Sequence, residues 1–441
     1  MITVLSALAA AGIIAMFAYT LGMWMEAQVG EPQTGGWPLS DEDSLVVFVV
    51  PCLNEERVIQ RTLAQLNSVP IPNRAVLVID DGSDDRTAEL VAASSFAGLL
   101  IYQRQLPEAR KGKGAALNAG IEWLVESGHL GDWNPRDVIV CILDADGQLE
   151  VSKLSRVLRE FEDPLVGGVQ IGVRIVNRAN RLLLRLQDME FVAYTRIFQV
   201  PRSRFGYGFL GGNGQFTRLS ALLSLGDEPW TECLTEDVDL GVRLVLCGWR
   251  THFLPEVTVE QQGLLKIGRL IRQRSRWFQG ALQVWRLIPS VASMRPWRPV
   301  TEFVHALLSP ALILVTTLMV LSLLTYTAGA VLSVDTSDLL LRPTVIVSWY
   351  ALTFFPALIF GIAYREASEM GGVRAFVLAN LFIIYSMIWV AAGCWAISRM
   401  ALGQHSWLKT ERTVGEEMPG TLRRFPVGRR LAHEAVEERS T

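Results

Sequence analysis

The first half of the chain contains the run Val138-Ile139-Val140-Cys141-Ile142-Leu143-Asp144-Ala145-Asp146. Its six apolar residues predict a buried parallel strand, because a strand that is covered on both faces reads as a continuous hydrophobic run. Asp144 and Asp146 would then lie just past the carboxyl end of the strand, where open α/β sheets bind ligands. Two carboxylates at this position suit Mg²⁺ or Mn²⁺ bound together with a diphosphate. A D-x-D triplet is common in loops, so its meaning depends on the rest of the chain.

Around this run, predicted strands alternate with predicted helices. Apolar runs indicate strands over 45–50, 75–79 and 98–102, with helices reaching to about residue 66 and over 115–127. This alternation implies a parallel sheet with right-handed crossovers. The net charge of −3 points neither to nucleic-acid binding nor to an acidic substrate. The region 44–295 therefore reads as one large α/β domain.

Four apolar stretches outside this region predict membrane helices. Half of the 441 residues are hydrophobic, and the mean hydropathy is +0.28. Residues 2–25 predict a retained transmembrane helix, because they are long enough to span a bilayer and lack the features of a cleaved signal peptide. The stretches 300–333, 343–364 and 375–402 predict further spanning or interfacial helices.

The charges of the connecting loops predict the orientation of the large domain. The loop at 335–338 is acidic and the loop at 365–374 carries two arginines, so the positive-inside rule puts the second loop and the large domain in the cytosol. Three C-terminal spans would place the tail outside, whereas its basic residues favour the inside, and this conflict stays open. The five cysteines contain no CxxC pair, which agrees with reduced thiols in a cytosolic domain.

Two loops near the other strand ends have the chemistry to hold a nucleotide. Asp80-Asp81-Gly82-Ser83-Asp84-Asp85 offers carboxylates that can accept hydrogen bonds from a base or a ribose, although a helix-capping loop has the same composition. Lys111-Gly112-Lys113-Gly114 combines glycines and a lysine at a helix N-terminus, as a phosphate loop does. Its spacing is not that of a Walker A motif, and a solvated basic turn is an equal alternative.

Two clusters in the second half of the soluble region suit an acceptor site. Thr235-Glu236-Asp237 begins an amphipathic helix, so its carboxylates either complement the helix dipole or remove a proton from an attacking hydroxyl. Gln273, Arg276 and Trp277 share one helical face at i, i+3 and i+4. Their amide, guanidinium and indole groups could hold an acceptor sugar and a leaving diphosphate. Interleaved basic and apolar residues also predict that this helix lies on a membrane.

The order of these motifs resembles the family 2 glycosyltransferases, which include cellulose, chitin, hyaluronan and poly-N-acetylglucosamine synthases. The shared motifs are P-x-x-N-E at 51–55, D-D-G-S at 80–83, K-G-K-G-A-A-L-N at 111–118, D-A-D at 144–146, T-E-D at 235–237 and Q-x-x-R-W at 273–277. The resemblance covers about residues 44–290. It implies an α/β GT-A domain, with a Rossmann-like and mostly parallel sheet, inserted between transmembrane helices.

The resemblance also implies a domain map. An N-terminal transmembrane helix at 1–25 would precede the GT-A domain at 44–260. Amphipathic interfacial helices at 261–298, a membrane region at 300–402 and a tail at 403–441 would follow. The tail contains Trp407-Leu408-Lys409-Thr410-Glu411-Arg412, which is similar to a W-x-K-T-x-R segment that folds back towards the nucleotide in relatives.

Each motif residue takes an implied role from the resemblance. The expected donor-binding residues are Glu55, Asp80, Asp81, Lys113, Asp144 and Arg276. Asp237, with Glu236 beside it, is the expected general base, and Asp146 is the expected ligand of Mg²⁺ or Mn²⁺. The expected acceptor-binding residues are Gln273, Trp277, Gly212 and Asn213. The segment Asn213-Gly214-Gln215 differs from the patterns of cellulose and hyaluronan synthases, which leaves the product open.

Taken together, these expectations predict an inverting glycosyltransferase at the cytosolic face of the plasma membrane. It would transfer a sugar from a UDP-sugar, with glucose or N-acetylglucosamine favoured. The first hypothesis is a processive synthase that builds a β-linked polysaccharide and translocates it. The alternatives are a non-processive enzyme that glycosylates a lipid such as ceramide or diacylglycerol, and an inactive membrane scaffold. The expected partners are the UDP-sugar, a glycan or lipid acceptor, the bilayer and possible accessory subunits, but no nucleic acid.

Overall fold

The computed structural model describes residues 2–29, 43–309 apart from 177, 180, 296, 298 and 299, residue 312, and 343–404. Within these residues one mixed sheet of eight strands organises the chain after residue 43. The strands are β1 Leu45–Cys52, β2 Arg74–Asp80, β3 Leu99–Gln103, β4 Val138–Ile142, β5 Gln148–Leu149, β6 Val166–Ile175, β7 Gln215–Arg218 and β8 Arg250–Gln261.

The strands lie in the order β3-β2-β1-β4-β7-β6-β8-β5. The first four are parallel to one another, and β6 is parallel to β8. By contrast, β7 is antiparallel to β4 and β6, and β5 is antiparallel to β8. The prediction of a mostly parallel α/β sheet is confirmed. The sequence did not reveal the antiparallel strands β5 and β7, nor the strands β6 and β8.

Helices cover both faces of the sheet and extend beyond it. The helices up to residue 292 are α1 Ile2–Gln28, α2 Ile59–Asn67, α3 Thr87–Ala92, α4 Lys113–Glu126, α5 Leu154–Glu160, α6 Leu182–Tyr194, α7 Val200–Arg204, α8 Leu219–Leu223, α9 Glu236–Leu246, α10 Ile267–Val284 and α11 Ile288–Ala292. The later helices are α12 Val300–Ser309, α13 Pro343–Ser368, α14 Gly372–Ser386 and α15 Ile388–Ala401. A π-helical segment, Thr195–Gln199, joins α6 to α7.

Strand β1 is buried on both faces because its alternate side chains feed two separate cores. Phe48 and Val50 pack with residues of α2 and α5, whereas Val47 and Val49 pack with residues of α4 and α9. Successive side chains of a strand point to opposite faces of the sheet, so an uninterrupted apolar run is required here. The same reasoning applies to β4, all of which is buried.

The parallel strands carry the polar motifs to one edge of the sheet. In register, Cys52 of β1 faces Asp80 of β2, and Val49 of β1 faces Ile142 of β4. The P-x-x-N-E, D-D-G-S and D-A-D loops therefore leave neighbouring strands at the same carboxyl edge, where a ligand crevice is expected.

The apolar helices form a cluster of their own against the sheet domain. Met23 of α1, Met189 of α6, Tyr364 of α13 and Leu378 of α14 belong to this cluster. Among the described residues, the helical stretch Gly372–Ala401, which joins α14 and α15 through Met387, is the one that is long and apolar enough to cross a membrane. Most of the stretch 300–333, and the W-x-K-T-x-R segment at 407–412, lie outside the described residues. The number of spans and the side of the tail stay predictions.

Candidate active site

The P-x-x-N-E and D-D-G-S loops are joined to each other by reciprocal hydrogen bonds. Asn54 Nδ2 donates to Asp84 Oδ1 at 2.6 Å, and Asp84 N donates to Asn54 Oδ1 at 2.9 Å. Gly82 has φ +76, and a Cβ there would lie 3.0 Å from Ala109 Cβ, so a glycine is needed on both counts. Asp80 Oδ1 accepts from Ser83 N at 3.1 Å, which closes the turn. The two loops thus form one fixed wall of the crevice.

The other two acidic residues of this wall are buried. Asp81 and Arg104 form a buried ion pair. Burial raises the pKa of Asp81, and the charge of Arg104 opposes this shift. Glu55 is buried, and its backbone N–H donates to Thr87 Oγ1 at 2.7 Å. Because the carboxylate of Asp81 is paired with Arg104, Asp80 is the stronger candidate of the two for binding the donor.

Lys113 lies at the centre of the site. Gly112, with φ +118, precedes α4, and Lys113 is the first residue of that helix. Its Nζ donates to Asp144 Oδ1 at 2.7 Å and to Gly212 O at 2.6 Å. Burial lowers the pKa of Lys113, but the charges of Asp144 and Glu236 outweigh burial and raise the pKa overall. Lys113 is therefore a cation that joins three motifs distant in the sequence.

Gly212 marks the point on which the charged side chains converge. A Cβ at this position would lie 3.0 Å from Lys113 Nζ, 3.2 Å from Asp237 Oδ2 and 3.8 Å from Glu236 Oε1. The absence of a side chain thus leaves space in front of the ammonium and the two carboxylates. A small reacting group at this point would be within reach of a cation and of proton acceptors.

Glu236 and Asp237 form an acidic pair at the start of α9. Glu236 is only 7% exposed. Burial, and next the charge of Asp237, raise the pKa of Glu236 to about 7, while Lys113 and Arg276 oppose the shift. Burial also raises the pKa of Asp237. Carboxyl groups tuned towards neutral pH are suited to proton transfer.

The raised pKa of Glu236 predicts a pH-dependent stability. Between the ordinary value of 4.5 and about 7, the folded protein binds a proton that the unfolded chain has released. The free energy of unfolding therefore falls as the pH rises through this range. We expect Glu236→Gln to unfold at a higher temperature than the wild type at pH 8, but not at pH 4.5. Thermal unfolding at both values tests this, with exposed Glu232→Gln as the control. An equal difference at both pH values would contradict it.

Asn213 is hydrogen-bonded to the backbone of the D-A-D loop. Its Oδ1 accepts from Asp144 N at 3.1 Å, and its Nδ2 donates to Gln261 Oε1 at 2.9 Å. Gln170 Nε2 in turn donates to Asn213 O at 2.8 Å. The side chain of Asn213 thus belongs to a buried network under the D-A-D loop. Its expected contact with the acceptor stays a prediction. Gln170 was missed, although a glutamine in the stretch Val166–Ile171, whose other residues are apolar or glycine, is a readable signal.

The D-A-D loop also offers donor atoms suited to a divalent metal. Among the described residues no three His, Cys, Asp or Glu side chains gather into a cluster. Mg²⁺ that binds with a substrate diphosphate needs only one or two protein carboxylates. Asp146 is 6% exposed, and its Oδ2 accepts from Gln262 N at 3.2 Å. Gln262 Oε1 is buried and has no hydrogen-bond partner in the described part of the chain. A carboxylate and an unpaired amide oxygen, carried by two residues that this backbone bond joins, are oxygen donors of the kind that a hard cation takes.

The three Q-x-x-R-W residues of α10 have two different sets of partners. Arg276 Nη1 donates to Leu234 O at 3.2 Å, and its charge acts on both members of the acidic pair. Gln273 Oε1 accepts from Arg274 Nη1 at 2.6 Å. The Trp277 ring packs against the Arg274 guanidinium at 4.1 Å. The structure thus brings Arg276 to the T-E-D motif, whereas Gln273 and Trp277 are held by Arg274.

Known proteins share both the sequence and the fold of this domain. Residues 43–280 match the family described as Glycosyltransferase like family 2. Over 253 residues the chain is 34% identical to a beta-monoglucosyldiacylglycerol synthase of Synechocystis sp., which covers 55% of this chain and 50% of that protein. Over 249 residues it is 30% identical to a poly-beta-1,6-N-acetyl-D-glucosamine synthase of Staphylococcus aureus, which covers 55% of this chain and 56% of that protein. The chain spans about half the length of the curated relatives it matches.

A solved structure extends the likeness to most of the chain. The mannosyltransferase of Pyrobaculum calidifontis, in complex with GDP-Man and Mn²⁺, superposes with a TM-score of 0.61. It is 18% identical and covers 89% of this chain and 99% of that chain, so the likeness concerns the fold. The predictions of a GT-A fold and of a glycosyltransferase are confirmed. With the family model matching more than half of its length, the chain belongs to glycosyltransferase family 2.

Proposed function

We propose that the protein transfers a hexose from a UDP-sugar to an acceptor hydroxyl at a membrane surface, with inversion at the anomeric carbon. The observation that carries this proposal is the convergence of Lys113, Glu236 and Asp237 on the space beside Gly212. A cation for the leaving group and a base for the acceptor then lie on either side of one point. This arrangement suits a direct displacement.

The donor would lie between the D-D-G-S wall and α4. Asp80 and the loop around it would contact the nucleoside. The diphosphate would lie at the N-terminus of α4, where helix dipole, free N–H groups and the Lys113 ammonium all favour an anion. Asp144, already hydrogen-bonded to Lys113, would contact the donor sugar or its phosphate.

Transfer would proceed in one step. The acceptor oxygen loses its proton to Asp237 and forms a bond to the anomeric carbon. The bond between that carbon and the diphosphate oxygen breaks, and the electron pair leaves with the UDP. Lys113 and Arg276 stabilise the negative charge that develops on the diphosphate. A single displacement inverts the anomeric centre, so an α-linked donor gives a β-glycoside.

A divalent metal completes the site in this proposal. Asp146 would ligate Mg²⁺ or Mn²⁺, with Gln262 Oε1 as a second donor. When bound, the metal would add positive charge beside the leaving diphosphate. Two observations support the assignment. The oxygen donors of Asp146 and Gln262 are of the kind that such a metal takes, and the fold is like that of an enzyme solved with Mn²⁺.

Chelation is expected to stop the reaction. Removing the metal with EDTA should lower UDP release at least ~100-fold, because several kcal/mol of charge stabilisation is lost. Added Mn²⁺ or Mg²⁺ should restore the rate. Asp146→Asn should also weaken Mn²⁺ binding in the presence of UDP, which titration followed by electron paramagnetic resonance measures without any turnover. Full activity in EDTA would overturn the metal assignment.

The acceptor belongs to one of two classes. Identity of 34% to a beta-monoglucosyldiacylglycerol synthase supports a diacylglycerol-like lipid. Identity of 30% to a poly-beta-1,6-N-acetyl-D-glucosamine synthase supports a growing polysaccharide. Because the two matches cover the same share of the chain, the higher identity gives the lipid precedence over the processive synthesis that the sequence motifs favour. Both acceptors would reach the site along the apolar helices α1, α13 and Gly372–Ala401, with the sheet domain in the cytosol and the protein integral to the plasma membrane.

Product analysis tests the function and separates the two acceptors. The purified full-length protein is incubated with Mn²⁺, diacylglycerol vesicles and, in turn, UDP-glucose and UDP-N-acetylglucosamine. Lipid transfer gives a β-glycoside that is extracted into organic solvent, whereas polymer synthesis gives a water-soluble product whose length grows with time. No UDP release with either donor, or with a wider panel of UDP-sugars, would refute the function and favour the inactive scaffold.

A further inference from the structure

Glu190 of α6 is the meeting point of three parts of the fold. Arg274 of α10 donates to its carboxylate through Nη2 at 2.5 Å and Nε at 3.2 Å. Tyr385 Oη of α14 donates at 2.5 Å, and Trp389 Nε1 of α15 donates at 2.7 Å. One carboxylate therefore holds α10 and the apolar helix pair α14–α15 to the sheet domain.

Arg274 transmits this attachment to the Q-x-x-R-W residues. It is only 1% exposed, so its guanidinium has little freedom. Its Nη1 donates to Gln273 Oε1, and the Trp277 ring lies 4.1 Å from its Cζ. Gln273 and Trp277, which are both expected to bind the acceptor, are thus held by Arg274, which is not one of the three motif residues of Q-x-x-R-W.

The C-terminal half of the same helix packs against the T-E-D motif without spare room. A Cβ at Gly280 would lie 2.6 Å from Thr235 N. Gln283 Oε1 accepts from Leu234 N at 2.9 Å, and Arg276 donates to Leu234 O. A rotation or shift of α10 would therefore move Gln273, Trp277 and the acidic pair together.

We propose that Glu190 is a positioning residue through which the apolar helices α14 and α15 set the orientation of α10 for sugar transfer. This inference rests on the proposed glycosyltransferase function. A buried ion pair contributes little net stability, since desolvation offsets its attraction, but it accepts only one geometry. Of the expected donor-binding residues only Arg276 lies on α10, and its proposed role is to stabilise the charge that develops on the diphosphate during transfer. Loss of the contacts to Glu190 is therefore expected to impair turnover and not affinity for the UDP-sugar.

The chain provides a matched pair of tyrosines to test this. Tyr385 donates to Glu190, which is paired with Arg274 of α10. Tyr364 of α13 donates to Asp188 Oδ2 at 2.8 Å, which is paired with Arg174 of β6. Both hydroxyls connect an apolar helix to a carboxylate of α6. Only the first connection leads to α10.

Kinetics of the full-length Tyr385→Phe and Tyr364→Phe variants form the experiment, with UDP release measured as a function of UDP-sugar concentration. We expect Tyr385→Phe to lower kcat by about 10- to 100-fold, the size of effect that a misplacement near 1 Å can cause. Its KM for the donor should stay within about twofold of the wild type. Tyr364→Phe should change neither constant by more than that.

The other outcomes are decisive as well. Equal kcat values for the two variants, or a loss confined to KM, would overturn the positioning role. No UDP release by the wild type would instead refute the proposed function, which is a distinct result. Glu190→Gln alone leaves Arg274 buried without a counter-charge and risks misfolding. The double variant Glu190→Gln, Arg274→Met removes both charges, and it should fold and keep UDP binding while losing kcat. Wild-type turnover in a folded double variant would also overturn the inference.

Discussion

Asp237→Asn is expected to lower sugar transfer by about 10²- to 10⁴-fold, the usual contribution of a general base. The carboxylate lies beside the Gly212 space and next to the Lys113 ammonium, where an acceptor hydroxyl and the anomeric carbon would meet. Asparagine keeps the size of the side chain but cannot take up the proton. UDP binding should remain nearly intact, because the nucleotide would contact the other end of the crevice.

Transfer and binding must be measured separately for this variant. UDP release reports transfer, and isothermal titration with UDP and Mn²⁺ reports binding. Asp227→Asn is the control, because Asp227 is exposed and only ten positions earlier in the chain. A parallel loss of transfer and of UDP binding would show that Asp237 serves the donor and not the acceptor.

The pH dependence of the wild type provides a second check on the base. The base must be deprotonated, so kcat/KM should rise as the pH increases through about 7, where the raised pKa of Glu236 lies. The two carboxyls titrate as a pair, so this rise belongs to both of them. In Asp237→Asn the neighbouring charge that raises the pKa of Glu236 is gone. The residual activity should then rise at a lower pH than in the wild type.

The parallel half of the sheet was predictable because it depends on local composition. Continuous apolar runs such as Val46–Val50 occur where both faces of a strand are covered, and polar loops follow at the carboxyl ends. The antiparallel β7 and β5 were not predictable in this way, since they have only four and two residues. Their pairing partners lie tens of residues away, and no local pattern specifies such contacts.

The start of α2 was also predicted wrongly, because contacts with a distant loop determine the backbone conformation there. The sequence predicts that the segment Pro51–Glu56 turns directly into a helix, whereas α2 begins at Ile59. Asn54 has φ 55, a left-handed conformation, and it is held there by hydrogen bonds to Ser83 and Asp84. The loop is therefore held by its hydrogen bonds to the D-D-G-S loop and the residue after it, and the helix begins only beyond the residues that make these bonds.

The site was predicted as a set of residue types but not as a set of contacts. Lys113 and Asp144 come from separate motifs, and only the fold brings them to 2.7 Å. Asn213 belongs to a motif of the expected acceptor site, yet its side chain turns under the D-A-D loop. Glu190 belongs to none of the sequence motifs. Its importance arises from Arg274, which lies 84 positions further along the chain.

Lys113→Met is expected to reduce kcat/KM by about 10²- to 10³-fold, the loss typical when a charge-stabilising donor is removed. Methionine keeps most of the length of the side chain but offers no positive charge to the leaving diphosphate. The variant also leaves Asp144, Glu236 and Asp237 close together without their shared cation. Because Lys113 lowers the pKa of both members of the acidic pair, its removal should raise both values further.

This second effect gives Lys113 a signature that a simple binding residue lacks. With a higher pKa the base is protonated over a wider range, so the rise of kcat/KM should move to a higher pH in Lys113→Met. The control is Lys111→Met, two positions earlier, where the lysine pairs with exposed Glu108 at the surface. Profiles from pH 5 to 10 measure the shift. A large loss of activity with an unshifted profile would mean that Lys113 contacts the donor without controlling the acidic pair, and the convergence on Gly212 would then have no part in proton transfer.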